Sequence, residues 1–206
     1  MPPAAARWLK PLLTVHWISA AVCLLGLLLF SVTGLTLNHA GWIEAKPHTE
    51  RLQRHTPAPL LAALRAQAHA RASDRAPLPP ALHGWLADSL RVDAAGQLAE
   101  WSDDELYLPL PRPGGDAWLR IDLADGALEY ERTDRGWIAW LNDLHKGRHT
   151  GEAWRWFIDA LALGCVLFTL TGLWILQIHA RQRRATWPLV ALGVWIPLLL
   201  ALLCMP

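Results

Sequence analysis

Three stretches of the chain stay apolar far longer than a globular helix requires. Residues 11–37 read PLLTVHWISAAVCLLGLLLFSVTGLTL, residues 157–178 are apolar except for Asp159 and a few neutral polar side chains, and residues 187–206 carry no charged side chain. Each matches or exceeds the roughly 18 to 20 residues that span a hydrocarbon core of about 30 Å. The pattern predicts transmembrane helices over 11–38, 157–179 and 187–206. It leaves a short N-terminal segment at 1–10, a large domain at 39–156 and a tight loop at 180–186.

Between the first two runs the periodicity is that of a small folded domain. LLAALRAQAHARA, residues 60–72, predicts a helix with Leu60, Leu61 and Leu64 on one side and Arg65, Gln67 and Arg71 exposed. From Leu90 the period drops to two, and LRVDAAGQLAEW reads as strand, turn, strand. AWLRIDLADGALEYER is a cleaner hairpin turning at Asp125-Gly126, with Trp118, Arg120 and Asp122 on one face and Leu119, Ile121 and Leu123 on the other. Two stretches show no such pattern: EAKPHTERLQRHTPAP reads as a charged linker and APLPPALHG as a Pro-rich connector. The predicted fold is an integral membrane protein, α-helical with three transmembrane helices, plus a small periplasmic α+β domain with antiparallel strands. That domain carries no catalytic triad, cysteine pair, phosphate loop or persuasive pair of carboxylates.

Composition agrees: 53% of the 206 residues are hydrophobic and only 18% charged, too apolar for an ordinary soluble domain. A net charge of +1 says nothing about nucleic acid, but the basic residues form no nucleic-acid patch and no nucleic-acid partner is expected. The placement of the cations says more. Arg7 and Lys10 precede the first run, and Arg181, Arg183 and Arg184 fill the loop between the second and third. Short loops rich in Lys and Arg stay in the cytoplasm. The expected topology is therefore N-terminus inside and residues 39–156 and the C-terminus outside; in a bacterium this means an inner-membrane protein with a periplasmic domain. The first run is too long for a signal-peptide core and lacks an A-x-A site, so it reads as an uncleaved anchor. Cys23, Cys165 and Cys204 all lie in apolar runs, where packing rather than disulfide formation is expected. Of the 13 tryptophans, Trp8, Trp42, Trp154, Trp156 and Trp187 flank the spans as an interfacial belt. Trp17, Trp174 and Trp195 lie inside the spans and read mainly as packing residues.

The histidines fall into two groups. His48, His55, His69 and His83 are scattered through polar sequence and read as solvated. His16, His39, His145, His149 and His179 lie in or beside the spans, where ionisable groups are costly and are functional hypotheses by default. His16 and His179 are assigned to the cytoplasmic side; His39, His145 and His149 to the periplasmic side. That is the arrangement expected of two b-type haems stacked across a membrane, each held by two imidazoles. His16 and His39 are about 35 Å apart along a helix, so no single cofactor uses both. His145 and His179 are about 51 Å apart if all is helix, which calls for a break near Gly147 or Gly151 with His145 on a short separate helix. Two alternatives stand: the histidines anchor the helix ends, or His145 and His149, at i and i+4, join further ligands around a divalent metal. Asp159 is either a partner to the free N–H of a ligated histidine or an ion-pair partner of Arg155.

The stretches HWISAAVCLLGLLLFSVTGLTLNH and DLHKGRHTGEAWRWFIDALALGCVLFTLTGLWIL resemble the PepSY-associated transmembrane proteins of Gram-negative inner membranes. The strands around LRVDAAGQL and LRIDLADGAL are similar to PepSY hairpins, in one reduced copy. Larger members of that group are haem-containing reductases of siderophore-bound iron. The resemblance implies that His16, His39, His145 and His179 match family-type histidine positions as axial ligands of haem iron. The chain is short for such a reductase, so a homodimer or a partner subunit is expected to supply further helices.

The sequence reading is thus a b-type cytochrome with about two haems. It takes electrons from quinol or a partner protein and delivers them to a periplasmic acceptor, ferric siderophore by resemblance. No dinucleotide fingerprint supports direct oxidation of NAD(P)H. His16 would pair with His179, and His39 with His145 or His149. Lys146, Arg148 and Arg155 would neutralise propionates or attract an anionic iron chelate. The rival reading is a non-enzymatic, membrane-anchored PepSY module whose hairpins bind a periplasmic partner protein.

Overall fold

The computed structural model describes residues 3–43, 46–70 and 73–204. Arg71 and the last two residues of the third apolar run lie outside the described residues. The elements run α1 (Pro3–Asn38), β1 (His48–His55), α2 (Ala58–Ala70), β2 (Arg75–Pro77), α3 (Pro80–Leu90), β3 (Leu98–Trp101), β4 (Glu105–Pro109), β5 (Gly115–Asp122), β6 (Ala127–Asp134), α4 (Trp137–Lys146), α5 (Gly151–His179) and α6 (Thr186–Cys204). The chain divides into two compact units, Met1–Phe30 with Trp156–Pro206, and Ser31–Arg155.

The segments Arg7–Asn38, Gly151–Gln182 and Thr186–Cys204 are long and apolar enough to cross a membrane. Between α1 and α5, small residues let the backbones approach, as they do where lipid tails remove any hydrophobic drive to associate. Cys23 is wholly buried and Ser19 nearly so. A Cβ added at Gly164 would stand 2.6 Å from the Cys23 sulfur, and one at Gly26 would stand 2.5 Å from a Leu161 methyl. Among the described residues of α6 none is buried, so this helix turns leucine and tryptophan outward on all sides.

The second unit is built on a six-stranded antiparallel sheet in the order β1-β6-β5-β4-β3-β2. Alternation along β5 puts Ala117, Leu119 and Ile121 on the covered face and Asp116, Arg120 and Asp122 on the other. Leu106, Leu108, Leu119, Ile121 and Leu128 meet Leu61 and Leu64 of α2 and Leu82 and Leu86 of α3 in one core. The open face is charged and self-paired: Arg51 to Glu131 at 2.6 Å, Arg120 to Glu105 at 2.8 Å, and Arg75 to Glu100. Tyr107 stacks on Trp118 in the middle of that face, with ring centroids 6.3 Å apart. Burial, then the carboxylates of Asp116 and Glu100, push its hydroxyl above the ordinary tyrosine range.

The β5–β6 hairpin turns at Asp125-Gly126 as its sequence predicts, with Gly126 at φ 80°. Three other expectations are corrected. The charged linker contains β1, whose eight residues pair along the whole of β6. The Pro-rich connector contains β2 and the start of α3, where Pro80 occupies the first helical position and its missing N–H costs nothing. LRVDAAGQLAEW is not two strands: Leu90 ends α3, Arg91 caps it in the left-handed conformation, and only Leu98–Trp101 pairs. Val92 and Ala94 nevertheless point into the core, which is why the segment alternates like a strand.

One glycine locks α4 to the sheet. Gly114, at φ 75°, lies so close to α4 that a Cβ would come within 2.8 Å of the Trp140 Cα. Its N–H donates to the buried Asp143 carboxylate at 2.9 Å, and its carbonyl accepts from the Arg135 N–H at 2.9 Å. Gly96 has a similar φ of 72° but open space around it. Gly96→Ala is therefore expected to cost about 1 kcal/mol, the left-handed penalty alone. Gly114→Ala should cost at least about 2 kcal/mol more, because a backbone must move. Unfolding transitions of the two variants, compared with the parent, measure the difference.

Candidate functional site

The five edge histidines are held in different ways. His16, half-buried on α1, stacks on the Phe168 ring with centroids 4.8 Å apart and planes 15° from parallel. Its Nδ1 lies 3.0 Å from the Thr171 hydroxyl and 3.2 Å from the Phe168 carbonyl. The Thr171 hydroxyl itself lies 2.8 Å from the Leu167 carbonyl and 2.9 Å from that of Phe168. Carbonyls only accept, so the threonine proton goes to its own helix and its lone pair faces the ring. Nδ1 is then the protonated nitrogen, and in the neutral ring Nε2 carries the open lone pair. Gly172 makes the room: a Cβ there would stand 3.2 Å from His16 Cε1.

A cradle of the same make holds His145, on the last turn of α4. Its Nδ1 lies 2.7 Å from the Thr33 hydroxyl, and a Cβ at Gly34 would stand 3.5 Å from its Cε1. Around it the polar side of α4 is buried: Asn142 accepts from the Thr36 hydroxyl at 3.0 Å, and Asp143 accepts from Gly114. Gly147, at φ 64°, ends the helix, so the break that the spacing demands falls there. The Trp154 indole donates to the Leu144 carbonyl at 2.9 Å across that break.

Sequence reasoning passed over these two threonines, although a signal was present. The triplet Thr-Gly-Leu occurs at 33–35 and again at 171–173. In each copy the threonine binds an imidazole and the glycine lies beside the same ring, closely enough at Gly172 that a side chain would crowd it.

His39 and His179 are held differently. Each turns Nδ1 to the carbonyl four residues back on its own helix, at 2.9 Å from Leu35 and 2.9 Å from Ile175. Both therefore have Nδ1 as donor, and Nε2 has no partner among the described residues. His39 also lies edge-on to the Trp42 ring, at 4.6 Å between centroids. The expected pairs are not closed. His16 sits level with Phe168–Gly172, whereas His179 stands about two turns farther along α5. His39 lies just past the end of α1, beyond Thr33 and Thr36, which meet α4. His149 lies exposed in the loop after α4, in the left-handed region at φ 57°.

Lys146 and Arg148 are exposed. Arg155 pairs with Glu152 at 3.5 Å, not with Asp159, which is exposed on α5. The described residues contain no group of three or more His, Cys, Asp and Glu side chains that could hold a metal ion. A shared divalent site at His145 and His149 has no further ligands among them.

The donor chemistry at His16, His39 and His179 fits haem iron one imidazole at a time: the Nδ1–H is spent on oxygen and Nε2 is open. Thr171→Val keeps the shape but removes the hydroxyl, leaving His16 only the longer contact to Phe168. A loss of about 1 kcal/mol is expected in detergent unfolding, restored by Thr171→Ser. Nitrogen NMR of labelled histidine should show the His16 Nδ1–H tautomer still favoured, by the Phe168 carbonyl, but less strongly in the valine variant than in the parent or the serine variant.

No curated protein and no solved structure matches the chain. A family model does, over residues 7–206, which takes in the three spans, the sheet and both threonine-held imidazoles. The chain is a multi-pass membrane protein that belongs to the PepSY_TM-like family.

Proposed function

We propose that the protein is a b-type haem protein of the bacterial inner membrane that passes electrons across the bilayer to a periplasmic acceptor. The reading rests on one observation above all: at His16, His39 and His179 the Nδ1–H is committed to an oxygen, which leaves Nε2 for iron. His16 and His179 serve the cytoplasmic side, His39 and His145 the periplasmic side, with His149 exposed beyond them. Bound haem supplies one-electron storage that side chains cannot. The chain's own part is to orient the rings, through Thr171 and Phe168 at one end and Thr33 at the other, and to keep water from them with apolar helices. Because neither expected pair is closed within one chain, a second copy or a partner subunit brings the remaining imidazoles.

The donor is quinol or a partner protein, and the acceptor is ferric iron on a siderophore, as the family resemblance suggests. One electron converts each ferric ion to ferrous. Exposed Lys146 and Arg148 would draw an anionic iron chelate. Arg155 is less available, being paired with Glu152. The positive-inside rule supports the orientation, with Arg181, Arg183 and Arg184 in the cytoplasm.

Protein purified from cells with ample haem is expected to show a Soret band that shifts on dithionite reduction. His16→Ala and His145→Ala should each remove about half of the haem. A colourless protein overturns the reading and favours a membrane-anchored module that binds a periplasmic protein.

A further inference from the structure

Helix α4 is inside out by the standards of a water-soluble helix. Asn142 and Asp143 are buried, while Trp137 and Trp140 are 69% and 45% exposed. Trp42, just past the end of the first span, is 84% exposed. Tryptophans exposed this way beside a transmembrane helix mark the headgroup level, where their rings are half in hydrocarbon and half in water.

At the start of α4 lies a cavity of about 340 Å³. Its walls include Ile43 and Trp137; its cations are Lys46 and Arg135. Neither cation has an ion-pair partner among the described residues. The N-cap is Gly136, which offers no side-chain acceptor, and the first intrahelical bond is from the Trp140 N–H to the Gly136 carbonyl. The N–H groups of residues 137–139 are therefore open at the positive end of the helix. The Gly136 N–H alone is taken, by the Asp134 carboxylate at 2.8 Å, and that carboxylate is offset by Arg112 at 3.5 Å. Asn142, nine-tenths buried, lines the cavity and is held 3.0 Å from the Thr36 hydroxyl. The larger clefts over the open face of the sheet lack this character, because Arg120–Glu105 and Arg75–Glu100 already neutralise each other there.

Two cations without an ion-pair partner among the described residues, open backbone donors and apolar walls at the headgroup level fit an anion that carries hydrocarbon. We propose that this cavity binds the headgroup of an anionic phospholipid. The phosphate meets Lys46, Arg135 and the start of α4, and the glycerol and first acyl carbons lie along Ile43 and Trp137. The site is independent of any haem, since it uses none of the histidines.

Native mass spectrometry of the full-length protein in zwitterionic detergent, titrated with dioleoylphosphatidylglycerol, tests it. One lipid should be retained per chain. Lys46→Gln with Arg135→Gln should weaken that retention at least about tenfold. Lys146→Gln with Arg148→Gln, equally basic and exposed, should leave it unchanged. Dioleoylphosphatidylcholine and inorganic phosphate, each added alone, should not compete. Equal retention by the Lys46/Arg135 variant overturns the site, and competition by inorganic phosphate overturns the lipid as its occupant.

Discussion

An imidazole set among apolar helices carries an N–H that must find an oxygen, because neither lipid nor leucine offers one. At both threonine-held rings a helix hydroxyl lies within reach of Nδ1. A threonine within a helix can send its proton back to its own carbonyls, which frees a lone pair on the opposite side. Thr171 does this and turns the lone pair to His16. The contact then fixes more than a ring. It sets which residues of α5 face α1, and so it places Gly172 beside the imidazole, where a larger side chain would collide. Small residues farther along, Gly164 against Cys23 and Gly26 against Leu161, keep the same two helices close. Polar contact and tight packing are therefore one requirement.

In the second unit the same requirement shapes a whole helix. Three polar residues of α4 have work on its inner side: His145 meets Thr33, Asn142 meets Thr36 and Asp143 meets Gly114. With those places taken, the tryptophans are left outside. A helix of this kind is stable only where its outer side meets something less polar than water. The sheet holds it there through Gly114, whose lack of a side chain permits the approach.

What could be read beforehand follows from this. The membrane helices and the β5–β6 hairpin were legible because single periods, unbroken apolarity and strict alternation, dominate those segments. Helix α3 was hidden behind prolines that begin a helix as readily as they interrupt one. Helix α4 was hard to read because its hydrophobic side faces outward. The edge histidines were legible as costly residues in costly places. Their partners were not, because Thr33 and Thr171 look like ordinary neutral residues until the fold supplies the ring opposite. Pairing His16 with His179 by depth also overlooked helix register, which sets His16 against Phe168–Gly172.

Strand β1 has a different lesson. It lies at the margin of the sheet, eight residues long, with one whole row of backbone groups unsatisfied by any neighbour strand. A strand like that is a template on which another chain can continue the sheet, the first step towards aggregation. Its sequence, HTERLQRH, carries Glu50, Arg51 and Arg54 and a single leucine. A molecule approaching edge-on must strip water from those charges before it can pair. The composition that disguised β1 as a linker is thus what keeps a long, open margin from propagating on a crowded membrane surface.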